Sequence, residues 1–464
     1  MTDEAPSGTP EPLPPQGDLR AAARRVAEQL RAAGHEAWFV GGCVRDRLLG
    51  HPLKDIDIVT DARPEQGVRL FRGARKVGAQ FAVLVVPEGG FHFEVATFRK
   101  DGRYRDHRHP ERIEFGTRED DARRRDFTIN ALYEDPWTEE VVDPAGGLED
   151  LQAGRVRCVG EPERRFNEDA LRMLRAIRFA ARFNFEIDKV TWEALRERAH
   201  TIVHISPERH RDELTGILTS AGAGRGLRLL ARSRLLHWLL PEVEDMQGVE
   251  QGGWHTEGDV FEHTVLALEH LEPRTSVTAW AVLLHDVGKP PTFQRDPQSG
   301  HITFYDHQNI GADMARDIMR RLRFPNAEVD AVEHIVRRHM NFLNVRHMRQ
   351  STLRRFLAAP EIEEELAVHR ADAMASEGIP ADRRLDAYRY CREKLEEFRS
   401  QGEDPMPPPL LNGHDVMAAG IPRGPAVGEA LAAARDEQLD GRITTREEAL
   451  EWLRVYARDR EGAV

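Results

Sequence analysis

The stretch FVGGCVRDRLLGHPLKDIDIVT, residues 39–60, ends one apolar segment in two glycines, crosses a short amphipathic run and re-enters an apolar segment at Asp55-Ile56-Asp57. Side chains alternate across a strand, so Asp55 and Asp57 are expected on one face of DIDIVT. Two carboxylates so close repel and desolvate badly in a core. Their neighbours Ile56, Ile58 and Val59 argue against turn or capping roles. A cation between the acids resolves the conflict, and an oxygen-rich, open pair suits Mg2+. Glu94, in FHFEVATF, is the expected third carboxylate, from a neighbouring strand. Gly41 and Gly42 allow a tight turn into a helix whose free N–H groups face a phosphate, with Arg45 adding charge. A Gly-Gly turn followed by Asp-x-Asp implies two-metal phosphoryl transfer from a nucleoside triphosphate.

A chain of 464 residues is too long for one core, which predicts two to four domains. Apolar residues at 40% and charged residues at 31% mark a soluble, folded protein. No apolar run is long enough to span a bilayer, and MTDEAPSGTPEPLPPQG lacks the pattern of a signal peptide, so residues 1–18 read as a disordered leader of a cytoplasmic protein. Cys43, Cys158 and Cys391 have no metal-like spacing and read as free thiols. The net charge of −13 argues weakly against nucleic acid, but residues 99–125 hold ten Arg and Lys against seven acids, and residues 155–182 hold eight Arg against four. Such arginines either suit phosphates and base edges or form solvated helix faces.

Residues 19–34 read as an amphipathic helix with Asp18 as N-cap and Gly34 as stop. AWFV, DIDIVT, FAVLVVP, FHFEVATF and EVVDP read as strands, which makes residues 19–145 a small α+β domain. Helical periodicity dominates from RRFNEDALRMLRAIRFAARFNF onward. The composition shifts again near residue 250, and a Pro-rich hinge, EDPMPPPLLNG, precedes a last helical segment.

GGCVRD with DIDIVT, then RRRDFTINAL, then NEDALRMLRAIRFAARFNF resemble the successive motifs of bacterial-type tRNA nucleotidyltransferases and their poly(A) polymerase relatives, within the polymerase-β-like nucleotidyltransferase superfamily. The resemblance runs from about residue 20 to REEALEWL, ending at 453. It implies a head with a small mixed sheet at 19–145, a helical neck with nucleotide-recognition and RNA-binding functions at 146–250, and a C-terminal helical region for tRNA at 373–464. It implies template-independent addition of C, C and A to tRNA from CTP and ATP, with no membrane and no obligatory protein partner. The alternatives are an enzyme that adds only A or makes poly(A), or a phosphohydrolase whose head merely binds RNA.

By the same resemblance, Asp55, Asp57 and Glu94 are catalytic, and Arg125, Asp126 and Asn130 hold the ribose and phosphates; Asp126 reads equally as an N-cap. In NEDALR, Asn167 is a natural N-cap and Glu168 and Asp169 suit a first helical turn. Capping leaves Arg172 unexplained. Cytosine and adenine share an amine donor beside an unprotonated ring nitrogen, whereas uracil and guanine show the reverse. A carboxylate and an Arg at i and i+3 therefore accept C and A and reject U and G. The family uses this Glu-Asp-x-x-Arg as a protein template, which gives that role to Asp169 and Arg172 and makes Glu168 the group that orients Arg172. Arg175, Arg178 and Arg182 continue the stripe toward the nucleotide, the RNA or only the neck surface. SPERHRDEL, 206–214, is read as bracing.

RKDGRYRDHRHP, 99–110, resembles the flexible loop the family needs to add A after C, which enzymes adding only CC lack. Tyr104, Arg105, Asp106 and Arg108 belong to it; an ordinary charged hairpin is the other reading. Lastly, FEHTVLALEH, LLHDVGKPP, FYDHQNIGA, RRHM and HRADAMAS resemble the His-Asp phosphohydrolase signature, with His263, His285, Asp286, His307, His339 and Asp372 as ligands in a domain at 251–372. Imidazole with carboxylate suits Mn, Co, Ni, Zn or Fe; the domain either hydrolyses phosphoesters or serves as scaffold.

Overall fold

Leu19, Ala22, Ala23, Val26, Ala27 and Leu30 recur at three- and four-residue intervals and are all buried, which makes Gln16–Ala32 (α1) an amphipathic helix. The helix begins before Asp18, so that residue lies in the first turn, where its charge complements the helix dipole, and does not cap it. In this computed structural model the described residues are 16–77, 83–101, 113–252, 256, 258–402 and 404–461. They form two compact units, one running to Pro241 and the other starting at Glu242.

The first unit is built on a seven-stranded mixed sheet. Its strands are β1 (Ala37–Val40), β2 (Asp57–Thr60), β3 (Arg75–Val77), β4 (Val83–Glu88), β5 (Phe91–Thr97), then, after a separate hairpin of β6 (Arg99–Asp101) and β7 (Ile113–Phe115), β8 (Tyr133–Glu134) and β9 (Val141–Val142). The sheet order is β3-β4-β5-β2-β1-β8-β9, with β2 and β5 parallel and the other pairs antiparallel. β2 is buried from Ile58 to Thr60, as a central strand should be. Helices α2 (Gly42–Leu48), α3 (Pro64–Leu70), α4 (Arg118–Arg124) and α5 (Gly147–Gln152) connect the strands. The neck follows as α6 (Pro162–Glu168), α7 (Leu171–Phe183), α8 (Lys189–Arg198) and α9 (Pro207–Leu218), with α9 packed along α7.

The second unit is helical apart from a two-stranded hairpin, Phe293–Arg295 with Ile302–Phe304. Its centre is Ser276–Leu284, SVTAWAVLL, buried from Thr278 onward, as expected of a helix apolar on all sides. Around it pack Val260–His270, Asn326–Arg338 and Ile362–Ala375. Further along the chain are separate clusters around Phe342, Leu353 and Cys391 and around Val416, Ala430 and Leu453. No helix among the described residues is long and apolar enough to cross a membrane.

One glycine governs how closely this bundle closes. A Cβ at Gly288 would lie 2.2 Å from the His307 carbonyl oxygen and 2.7 Å from the Gly311 nitrogen. The helix His307–Arg321 can approach the His285-Asp286 turn only because no side chain intervenes. Gly288→Ala is expected to destabilise the full chain by about 1–3 kcal/mol, the usual cost of overpacking. Chemical denaturation measures this, and an unchanged midpoint would contradict the packing described.

Candidate functional site

β1 ends at Val40, which pairs with Asp57. Gly41 then takes a φ of +76° and turns the chain away. Asp57 therefore opens β2, while Asp55 and Ile56 have no ladder partner and precede the strand. This corrects the expectation that both aspartates share a strand. They still act on one another. Burial, then Asp55, then Glu94 push the Asp57 carboxyl up to about 6, with Arg125 opposing. Glu94 stands beside Asp57 because the parallel register sets Ile58 against Val95. Three neighbouring carboxylates, Asp57 half-buried and Asp55 and Glu94 exposed, with oxygen the only donor type, fit a hard divalent cation. Their spacing is nevertheless open: among the described residues, the His, Cys, Asp and Glu groups whose ligand atoms lie within 4.8 Å of one another are in the second unit.

Asp55 and Asp57 line a cleft of about 310 Å³ together with Gly41, Gly42, Arg125, Asp126, Arg175 and Arg178. A Cβ at Gly41 would lie 3.2 Å from Arg125 Nη1, so the glycine makes room for that guanidinium. Arg125 donates to Asp121 Oδ2 from Nε at 3.1 Å and from Nη2 at 3.0 Å, and to the Asn130 carbonyl at 3.3 Å. Tyr133 donates to the same Asp121 oxygen at 2.7 Å. Although burial pushes it up, Asp121 is held at about 2 by Arg125 and Arg124.

Asp126 joins the sheet to the neck. Its Oδ2 accepts from Arg175 Nε at 2.8 Å, and its Oδ1 accepts from Asn130 Nδ2 at 3.0 Å and the Phe127 N–H at 2.8 Å. Burial is outweighed by Arg175 and Asn130, which hold the carboxyl well below the usual range. The segment after it is a 3-10 turn, Thr128–Asn130, so Asp126 caps no α-helix. Arg45 is buried and already committed: it donates to Asn130 Oδ1 at 2.5 Å and Asp46 Oδ1 at 2.8 Å, and lies over Phe179 and Phe183. Arg182 donates to Asp46 Oδ2 at 2.9 Å. A chain of alternating charge thus lines the cleft.

The NEDALR segment differs from its sequence reading. Asn167 lies within α6, and Asp169 sits extended (φ −151°, ψ 106°) between α6 and α7. Asn167 is therefore no N-cap, and Asp169 and Arg172 do not share one helix. Asp169, one residue ahead of the N-cap Ala170, accepts from the Leu171 N–H at 3.0 Å. Glu168 pairs with Arg172 at 2.9 Å, and Arg172 also donates to the Arg165 and Arg124 carbonyls. Neither Asp169 nor Arg172 is among the residues lining the cleft. SPERHRDEL reads as bracing without showing which residues brace what; two that do lie on α9. Arg209 donates to Asp169 Oδ2 at 2.6 Å, and Glu213 accepts from Arg178 at 2.7 Å. Their spacing of four residues in SPERHRDEL was the available signal. Tyr104, Arg105, Asp106 and Arg108 lie outside the described residues.

In the second unit the six expected ligands meet. His263 Nε2 lies 2.9 Å from Asp372 Oδ1, and His285 Nε2 lies 3.2 Å from Asp286 Oδ2. His307 Nε2 faces His339 Nε2 at 3.2 Å, with Asp286 Oδ1 at 3.6 and 4.0 Å from the two. His285, His307 and His339 each set Nδ1 against a backbone carbonyl, at 2.7, 2.9 and 2.6 Å. That contact places the proton on Nδ1 and aims the Nε2 lone pair inward, as metal-binding imidazoles are oriented. Burial and His285 push His339 down to about 4, so it is neutral near pH 7. Three inward nitrogen lone pairs beside a carboxylate fit a transition metal. Lys289 Nζ, 2.7 Å from Asp286, is a further partner the sequence reading did not single out.

Family models match residues 37–157 (poly A polymerase head domain), 184–247 (probable RNA and SrmB-binding site of polymerase A) and 259–377 (HD domain). The chain is 36% identical over 444 residues to an A-adding tRNA nucleotidyltransferase of Deinococcus radiodurans, covering 92% of this chain and 97% of the relative. It is 35% identical over 440 residues to a CC-adding tRNA nucleotidyltransferase of Thermus thermophilus, covering 92% and 95%. Its fold is similar to the crystal structure of the Bacillus stearothermophilus CCA-adding enzyme in complex with CTP, with a TM-score of 0.74, 29% identity and coverage of 96% and 99%.

The raised Asp57 has a thermodynamic consequence. A folded-state pKa of about 6 lies above the ordinary aspartate value of 3.8, so the folded state binds the proton more tightly. That contribution is complete below the unfolded pKa and is lost as pH rises through about 6. In the presence of a chelator, Asp57→Asn is therefore expected to melt higher than the parent at pH 8, with the gap closing below pH 4, about the unfolded pKa. Calorimetry at the two pH values checks this; a lower melting point for the variant at pH 8 would show that the acids do not strain one another.

Proposed function

The chain belongs to the family of tRNA nucleotidyltransferases and poly(A) polymerases, and from that premise we propose that it adds C, C and A to the 3′ end of tRNA, drawing on CTP and ATP without a nucleic-acid template. The observation that carries the reading is that Asp55 and Asp57 line one cleft with Arg125, Asp126, Arg175 and Arg178. This sets a carboxylate pair for metal beside a cationic wall for phosphates. Mg2+ held by Asp55 and Asp57, with Glu94 beside them, supplies activation of the terminal hydroxyl and charge neutralisation of the triphosphate. Asp126, fixed by Arg175 and Asn130, accepts from the ribose hydroxyls. Asp169 and Arg172 read the edge that cytosine and adenine share. Relatives named for A, CC and CCA addition have comparable identity to this chain, so overall likeness does not choose among them. Tyr104, Asp106, Arg108 and Pro110 speak against addition of CC alone, because they resemble the loop that A addition after C requires, although His109 stands where that loop commonly has a second Arg. The work belongs in the cytoplasm, with no obligatory protein partner.

Transcripts ending before, within and after CCA test this directly. The parent is expected to complete each partial end and leave the finished one alone. Addition of a single A only to ends in CC, or of long A tracts to any RNA, contradicts the proposal. Deleting residues 105–108 is expected to leave CC addition largely intact and stop the terminal A.

The histidine geometry favours a second activity: metal-dependent phosphoester hydrolysis with Mn, Co, Ni, Zn or Fe. The pocket beside these ligands, about 720 Å³, also presents Lys289, Arg346 and Arg383 to an anionic substrate. Replacing His285 and Asp286 together is expected to abolish hydrolysis of a 2′,3′-cyclic phosphate while nucleotide addition continues. Asp55→Ala is expected to do the opposite, lowering addition by about 100-fold or more, since a lost metal ligand costs several kcal/mol of transition-state stabilisation. Equal effects of the two changes on both activities would refute two separate sites.

A further inference from the structure

The cleft of the first unit is lined by five arginines and one lysine. Every one of the arginines is already held by an acid. Arg45 and Arg182 share Asp46 at 2.6 and 2.9 Å, Arg125 pairs with Asp121 at 3.0 Å, Arg175 with Asp126 at 2.7 Å and Arg178 with Glu213 at 2.7 Å. Much of their charge is therefore compensated before an anion arrives, and they act as donors in fixed positions. Lys54 differs. It is exposed, lines the same cleft and has no hydrogen-bond or ion-pair partner among the described residues. Asp55 follows it in the chain, yet no ion pair joins the two, so Lys54 leaves that carboxylate open to a metal.

We propose that Lys54 is the mobile cation of this cleft: its ammonium contacts the outer phosphates of the incoming nucleotide and stays with them as they leave as diphosphate. This rests on the reading of Asp55 and Asp57 as the metal-binding pair for nucleotide addition. Two-metal transfer sets the triphosphate against that carboxylate pair. Lys54 neighbours the pair both in the chain and in the cleft, which favours the triphosphate over a backbone phosphate of the RNA.

The chemistry calls for a cation that moves. In the transfer the RNA 3′ oxygen bonds to the α-phosphorus as its proton passes to solvent. The bond from that phosphorus to the oxygen shared with the β-phosphorus breaks, and its electron pair stays on the diphosphate. Negative charge thus grows on a group that is also departing. A guanidinium pinned by its own carboxylate cannot follow such a group without breaking that pair. An ammonium on a flexible four-carbon stem, with three donors and no acid holding it, can.

The test compares the full chain with Lys54→Gln and Lys54→Arg in a buffer containing Mg2+. Titration calorimetry gives the affinity for inorganic diphosphate without RNA, and kinetics give KM and kcat for CTP and ATP. Binding of a transcript lacking CCA is followed against salt, and melting temperatures are recorded alongside. Lys54→Gln is expected to melt with the parent, to weaken diphosphate binding by about tenfold, the lower end for a hydrogen bond between charged groups, and to raise KM for CTP and ATP alike. The gap should narrow at high salt, and Lys54→Arg should recover most of the loss. Unchanged diphosphate affinity in Lys54→Gln would overturn the inference. So would a smaller salt slope for the transcript alone, since that places Lys54 on the RNA backbone. A parent that binds diphosphate but adds no nucleotide would sink the transferase reading, and the titration would still decide the role of Lys54.

Discussion

The ion pair between Asp126 and Arg175 is the joint on which the first unit turns. It ties the loop after α4 to helix α7, with the Asp126 side chain only 10% exposed. From it run two further links. Asn130 passes the contact to Arg45, which anchors the helix after the Gly-Gly turn, and Asp46 on that helix returns to α7 through Arg182. Breaking a buried pair by removing one partner costs about 3–5 kcal/mol, because the other charge is left uncompensated. The loss here would also misplace the wall of the cleft.

Two aspartates in this one cleft are pushed in opposite directions. Asp126 is held ionised by Arg175 and Asn130, so its geometry is fixed before any nucleotide arrives. Asp57 is pushed toward its neutral form by burial and by Asp55 and Glu94. The first is a satisfied structural charge. The second is an unsatisfied one, a strain that a cation relieves, and such perturbation by like charges is the usual mark of a working site. The histidine cluster of the second unit repeats the logic with other donors: nitrogen lone pairs aimed inward by backbone carbonyls suit a softer metal.

What could be read from the residues alone follows from where the information lies. Asp55, Asp57 and the His285-Asp286 pair announce themselves, since such groups in apolar surroundings have few structural uses. The strands AWFV and FHFEVATF were legible through alternation, but β3 and β8 were too short to show any period. The break at Asp169 was hidden because Asn-Glu-Asp is also a good helix start; burial of Phe166 and Glu168 lets α6 run through Asn167 instead. Asp121, Arg209 and Glu213 were missed for a different reason. Arg209 and Glu213 draw their meaning from Asp169 and Arg178, far off in sequence, at which their four-residue spacing only hints, and Asp121, besides its neighbours Arg124 and Arg125, from Tyr133 on β8.

In the proposed function, side chains set in place by their own ion pairs do the work of a template. A crystal structure of the full chain with CTP, and a second with ATP, tests this most directly. In both, the Asp169 carboxylate is expected to accept from the exocyclic amine and Arg172 to donate to the neighbouring ring nitrogen, with the Glu168–Arg172 pair still intact. Bases that stack in the cleft without meeting Asp169 and Arg172, or that meet them in different ways for C and A, would contradict it.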